Sequence, residues 1–213
     1  AGLLSAHEAA ALALLGASLA RLHLVLNRDL SAPDFRPERF TANYQRSVYQ
    51  SLRNQIREAL RLLTDRLEHL PEDLRHTARR AVSAEPALLA AIDAVQNRAI
   101  QAMRARIHGN LHLKDCTFTG RDFQFSGLAS GVPGRLGDRR VKRSPARDLA
   151  GLAFSLGQTA WAAFRGLSSL SPAEERMLTP WVEGWIEAAI RAMIRGYRRV
   201  LAGEGQTPLS GPD

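Results

Sequence analysis

Ile107-His108-Gly109-Asn110-Leu111-His112-Leu113-Lys114-Asp115 is the stretch on which the reading of this chain turns. Before it, apolar residues recur at helical spacing; from Arg106 to Asp148 they do not, and glycines stand at 109, 120, 127, 131, 134 and 137. Directly after it, Asp115 to Phe118 and Asp122 to Phe125 flank Thr119-Gly120-Arg121, a pattern that predicts a short β-hairpin. A polar, glycine-containing turn followed by a hairpin inside a largely helical chain marks the centre at which chemistry is to be sought.

Outward from that centre the chain reads as helix. Leu12, Leu15, Leu19, Leu22 and Leu26 share one face, and Ser5-Ala6-His7-Glu8 ahead of them is a capping box, so a first helix is predicted from about Ser5 to Asn27. Pro33 and Pro37 break the chain, and Val48, Leu52, Ile56, Leu60 and Leu63 predict a second helix from about Thr41 to His69. Pro71 is placed to open a third helix and Pro86 a fourth, with Leu88, Leu89, Ile92, Val95 and Ile100 carrying it to Met103. After Pro145 helix resumes over about Arg147 to Phe164. Ser171-Pro172-Ala173-Glu174, a second capping box, opens a last helix to about Leu201, with Gly203 to end it. The expected organisation is one unit over 1–203, helical in 1–105, loop and hairpin in 106–147 and helical in 148–203, followed by a flexible tail at 204–213.

Composition narrows the class. A 213-residue chain that is 45% hydrophobic can bury a core. The longest uninterrupted apolar run, around Ala9 to Leu15, falls short of the roughly 20 residues a membrane span needs, so no membrane partner is expected. A single cysteine, Cys116, allows no internal disulfide and suits a reducing, cytoplasmic setting. The net charge of +8 would suit nucleic acid, but the one dense cluster, Arg135, Arg139, Arg140, Lys142, Arg143 and Arg147, contains no aromatic residue for base stacking and reads as a solvated face. Nucleic acid is therefore not the expected partner.

The loop at 107–115, the hairpin and the run Asp138-Arg139-Arg140-Val141-Lys142-Arg143-Ser144-Pro145-Ala146-Arg147-Asp148-Leu149-Ala150-Gly151 together resemble the bacterial maltokinases, members of the aminoglycoside-phosphotransferase-like kinase superfamily that are often fused to trehalose synthase. Leu19-Ala20-Arg21-Leu22-His23-Leu24, the stretch Phe40 to Asn54 and Arg195-Gly196-Tyr197 are similar to the same family in the same order. The resemblance implies a mainly α fold with a small β-hairpin, the C-terminal lobe of a protein-kinase-like fold. It finds no counterpart here of the nucleotide lobe. The family activity it implies is transfer of phosphate from ATP, with Mg2+, to maltose, feeding glycogen biosynthesis.

Carried over position by position, the family's catalytic aspartate falls on Asn110, between His108 and His112. An amide cannot accept the proton of an attacking hydroxyl. The metal-binding aspartate falls on Gly127 and its acidic neighbour on Ala129, neither of which can ligate magnesium. A loop glutamine that approaches metal in the family is replaced by Asp115, the one carboxylate that could compensate, and Lys114 stands where the family usually has glycine, able to occupy the vacated charge or to point to solvent.

Each of these residues also has a plain structural reading. His108 and His112 lack a matching third ligand and are expected to make structural hydrogen bonds. Asp148, near a helix start, is expected to cap free amides or, by resemblance, to brace the loop from below. Trp181 and Trp185, four apart, share a face and are expected to pack, although tryptophan also stacks on sugars. Cys116 reads as a small buried hydrophobe.

Three functions follow as expectations. The first is a degenerate, pseudokinase-like domain, inactive alone, without its own cofactor, packed against a trehalose synthase or kinase portion of the same polypeptide; a start at Ala1 suits a segment of something longer. The second is a maltokinase that works only when a missing nucleotide lobe is supplied and Asp115 holds metal. The third is a basic interaction module using 135–147 on an anionic partner.

Overall fold

In the computed structural model, residues 3–98, 100, 102–128, 141–167 and 170–203 are described. Two compact units emerge: Ala1–Glu38 with Ala102–Asp213, and Arg39–Gln101. The expected tail at 204–213, the expected cluster residues Arg135, Arg139 and Arg140, and Ala129 lie outside the described residues.

The first unit is built on two long helices. Helix α1, Ala6–Leu26, starts at the predicted capping box: the Glu8 N–H donates to Ser5 Oγ (3.2 Å) and the Ser5 N–H to Glu8 Oε2 (2.8 Å). Its polar side chains are few, and over its most apolar window the mean hydropathy is 1.8 with a third of that window buried, so length and composition alone would let it cross a membrane. The expectation drawn from the uninterrupted run Ala9 to Leu15 overlooked this, because Ser18, Arg21 and His23 interrupt the sequence without lowering the average much. Here α1 is a core helix. Leu15, Leu19 and Ala20 pack with Met193 and Tyr197 of the C-terminal helix.

The close approach of those two helices is fixed by glycine. A Cβ on Gly16 would sit 1.9 Å from the Met193 carbonyl oxygen, and one on Gly196 1.9 Å from that of Ala13. Only hydrogen fits at either place. Leu111 and Leu152 complete the core, each such side chain contributing about 1.5–3 kcal/mol by burial.

The second unit holds α2 (Ala42–Arg66), a 3-10 turn (Leu67–His69), α3 (Glu72–Ser83) and α4 (Glu85–Asn97). α2 is capped by Thr41, whose Oγ1 accepts the Tyr44 N–H (3.3 Å). Pro71 caps α3 from just outside it. The fourth helix stops six residues short of the expected Met103. Its last carbonyls are taken by a side chain: Gln45 Nε2 donates to the oxygens of Val95 (2.5 Å) and Arg98 (2.6 Å), which ends the helix without glycine or proline.

In the first unit Met103–Arg104 is extended, as is Glu38–Arg39 where the sequence passes from one unit to the other. The predicted hairpin is present, Cys116–Phe118 paired antiparallel with Phe123–Phe125 and turning at Gly120, φ +88°. Helix α5 spans Ala146–Arg165 and α6 spans Pro172–Gly203, the latter opened by the second capping box, with the Glu174 N–H donating to Ser171 Oγ (3.3 Å) and the Ser171 N–H to Glu174 Oε2 (2.8 Å).

Candidate functional site at loop 107–115

The loop lies along the first turns of α5, from Arg147 to Ser155. Gly151 makes that seat possible, since a Cβ there would stand 2.3 Å from the Leu111 carbonyl oxygen. From below, Asp148 is wholly buried and its carboxylate accepts from two loop amides, His108 N–H to Oδ2 (2.7 Å) and Gly109 N–H to Oδ1 (2.8 Å). Gly109 turns the chain at φ +93°, and its carbonyl accepts from Arg147 Nε (3.0 Å). Three residues at the start of α5 therefore fix the backbone on either side of Asn110.

Asp148 has a third donor. His23 of α1, also wholly buried, places Nε2 3.0 Å from Asp148 Oδ2 and Nδ1 2.9 Å from the Tyr197 hydroxyl of α6. A carboxylate can only accept, so Nε2 carries hydrogen, and in the neutral ring Nδ1 takes the phenol's proton in a hydrogen bond. Burial first, and then the Asp148 charge, raise the Tyr197 pKa above its ordinary value, which keeps that hydroxyl a donor.

The two histidines of the loop have different surroundings. His108 is buried, and its Nε2–H donates to the Ser126 carbonyl (2.8 Å), which ties the loop to the residue before Gly127. Its Nδ1 has no hydrogen-bond partner among the described residues. His112 is committed to its own turn: its N–H donates to Asp115 Oδ2 (3.0 Å), its carbonyl accepts the Asp115 N–H (3.0 Å) in return, and its Nε2 lies 3.3 Å from Asn110 Oδ1. Among the described residues no group of three His, Cys, Asp or Glu side chains is placed to hold a metal ion.

Asp115 thus spends one carboxylate oxygen on the backbone of its own turn, and its carbonyl accepts the Ser126 N–H (2.9 Å). Those bonds bring Gly127 alongside the loop. Gly127 is exposed and has φ +74°, a conformation that among L residues Asn and Asp tolerate best. Lys114 points to solvent at the outer edge of the turn. Burial, and then Asp115, push the Cys116 thiol up to about 12, so it stays protonated, and its Sγ–H donates to the His112 carbonyl (3.4 Å).

Sequence reasoning named His108, Asn110, His112, Lys114, Asp115, Gly127 and Asp148, and these are assembled around one loop. The roles of Tyr197 and of Asn27 were not named. Asn27, wholly buried at the end of α1, donates through Nδ2 to the carbonyls of His23 (2.8 Å) and Arg106 (2.8 Å) and accepts the Arg106 N–H at Oδ1 (2.9 Å), so it holds the chain as it enters the loop. Its position at the predicted helix end was the available signal.

One expected surface feature differs. Lys142 of the basic cluster is buried rather than solvated: Nζ donates to the Pro33 carbonyl and to Glu38 Oε1 (2.7 Å), and Arg104 pairs with the same carboxylate at 2.5 Å. That bond from Lys142, with Arg104 adding its charge, holds the Glu38 carboxyl below its ordinary range despite partial desolvation. Trp181 and Trp185 do share a face, but with Phe164 and Leu167 they line an apolar cavity of about 560 Å³ to which no residue of 107–115 contributes.

No protein-family model and no curated protein matches the chain. Solved structures do. A glucosamine kinase in complex with glucosamine, ADP and inorganic phosphate superposes with a TM-score of 0.69 at 19% identity, over 92% of this chain and 41% of that one. Crystal forms B and A of glucosamine kinase give TM-scores of 0.68 and 0.69 at 21% and 20% identity, covering 91% and 95% of this chain. This chain therefore spans about two fifths of the length of the structures it matches, and over that part its fold is sugar-kinase-like.

Proposed function

We propose that this chain is a degenerate sugar-kinase module, corresponding to the C-terminal lobe, that keeps the loop architecture of a phosphotransferase and has lost its chemistry. One observation carries the reading. Everything that shapes the loop backbone is in place, from Gly109 and Asp148 to the His108 bond on Ser126, while the two positions that would carry carboxylates hold Asn110 and Gly127. Phosphoryl transfer depends on placing metal and nucleophile by charge as well as geometry. Here the geometry is retained without the charge, which suits a structural or regulatory part of a larger maltose- or trehalose-handling polypeptide.

One neighbour of the same fold, a glucosamine kinase, is in complex with glucosamine, ADP and inorganic phosphate. ATP with Mg2+, and a sugar such as maltose or an amino sugar, are the ligands such a fold would serve were the carboxylates present. A working maltokinase needing a second lobe would rest on Asp115 as metal ligand, and the bond from the His112 N–H to its Oδ2 weighs against this. A basic interaction module is weakened by the burial of Lys142.

Metal binding tests the proposal. With Mn2+ as a paramagnetic probe of the magnesium site, the chain with its natural flanks should show no bound ion, whereas Asn110→Asp/Gly127→Asp should gain one. Binding by the unaltered chain that disappears in Asp115→Asn would instead establish the compensated kinase.

A further inference from the structure

We propose that His23 and Tyr197 are positioning residues for the loop, setting its backbone through Asp148 across the α1, α5 and α6 helices. The inference goes beyond the functional reading above and holds whether or not the chain transfers phosphate. Its basis is that three sequence motifs far apart in the chain, containing His23, Asp148 and Tyr197, are joined in one buried chain of hydrogen bonds that runs from the Tyr197 hydroxyl through His23 to the Asp148 carboxylate.

A carboxylate with no solvent exposure must have its lone pairs met by donors, because an uncompensated buried charge costs several kcal/mol. Asp148 has three N–H donors: two belong to the loop, at His108 and Gly109, and the third is His23 Nε2. Remove the third, and Oδ2 loses the contact that fixes the carboxylate plane; the group then rotates or draws in water, and its hold on the two loop amides loosens. His23 can serve only if its ring is turned and its tautomer chosen, and the Tyr197 hydroxyl at Nδ1 does both. The edge-on contact of the two rings, 5.7 Å between centroids, leaves little other freedom. Apolar side chains would fill this space equally well, so packing alone does not call for an imidazole and a phenol here.

The experiment is amide hydrogen exchange and 15N–1H correlation spectroscopy on the whole chain. In Tyr197→Phe, which deletes one oxygen, and in His23→Leu, exchange at the His108 and Gly109 amides should rise roughly ten- to hundred-fold, while Leu152 and Leu156 of α5 stay as they were. His23→Gln, whose amide can donate where Nε2–H did, should recover most of that protection. Ring 15N shifts should report His23 protonated at Nε2. The proposal is overturned if both loop amides keep their unaltered exchange rates and shifts in Tyr197→Phe, if the whole of α5 accelerates with them, or if His23→Gln behaves as His23→Leu. Should His23→Leu not fold, Tyr197→Phe and His23→Gln decide the matter by the same readings.

Discussion

Gly151 and Leu111 are in contact so close that the α5 backbone touches the loop carbonyl directly, with 2.3 Å left between that oxygen and any Cβ placed at 151. In an exposed helix interior glycine to alanine gains roughly 0.5–1 kcal/mol. At 151 the gain is outweighed, because the clash is with backbone and the loop or the helix must move. Gly151→Ala should lower the melting temperature, by several degrees or more. Gly157→Ala, two turns later, meets nothing nearer than Ile186 Cγ2 at 3.9 Å and should raise it. Thermal denaturation of the two variants side by side checks the pair of opposite signs.

Asn27 gives a second prediction. Its amide makes three hydrogen bonds with no solvent exposure, two of them to the backbone of Arg106. Asn27→Ala leaves buried backbone groups without that partner and should cost about 2–3 kcal/mol in denaturant unfolding. A cost below about 0.5 kcal/mol would mean that water takes over these bonds freely.

How far the sequence foretold the structure can be judged from such residues. Local signals were readable: both capping boxes, the hairpin and its Gly120 turn, and the starts of α1, α2 and α6 depend on side chains within a few residues of one another. The end of α4 was not, because Gln45, about fifty residues earlier, terminates it. Nor was the burial of Lys142, whose partners Pro33 and Glu38 lie more than a hundred residues away. The candidate site residues were named one by one, from the loop and from what the family resemblance implies at Gly127 and Asp148; the link from Asp148 through His23 to Tyr197 exists only in three dimensions.

Lys142→Met tests the buried cation. It removes the Nζ bonds to Pro33 and Glu38 but keeps most of the side-chain volume, leaving Glu38, 42% exposed, with Arg104. The expected loss is about 1–2 kcal/mol in denaturant unfolding. A basic cluster that merely faces solvent would lose nothing measurable.

The hairpin is anchored to α1 by Asp122, which accepts from Ser18 Oγ and pairs with Arg21 (2.9 Å). The Ser18 hydroxyl first, with the Phe123 amide and Arg21 behind it, holds this carboxyl below its ordinary 3.8. A depressed pKa stabilises the fold above the unfolded value and loses that contribution as pH falls through the folded one. Asp122→Asn should therefore be less stable than the unaltered chain at neutral pH, with the gap closing as pH drops below about 4. Because the carboxylate is 44% exposed, solvent screening limits the gap to about 1 kcal/mol. Unfolding curves at a series of pH values would reveal it.

Phosphoryl transfer itself is the most direct measure of the central claim. With labelled ATP, Mg2+ and either maltose or glucosamine, the chain carried in its natural polypeptide should yield no sugar phosphate above the uncatalysed background, and ATP with Mg2+ should not raise its melting temperature. Sugar phosphate formed at the rate of an ordinary sugar kinase, and lost on Asp115→Asn, would contradict the account.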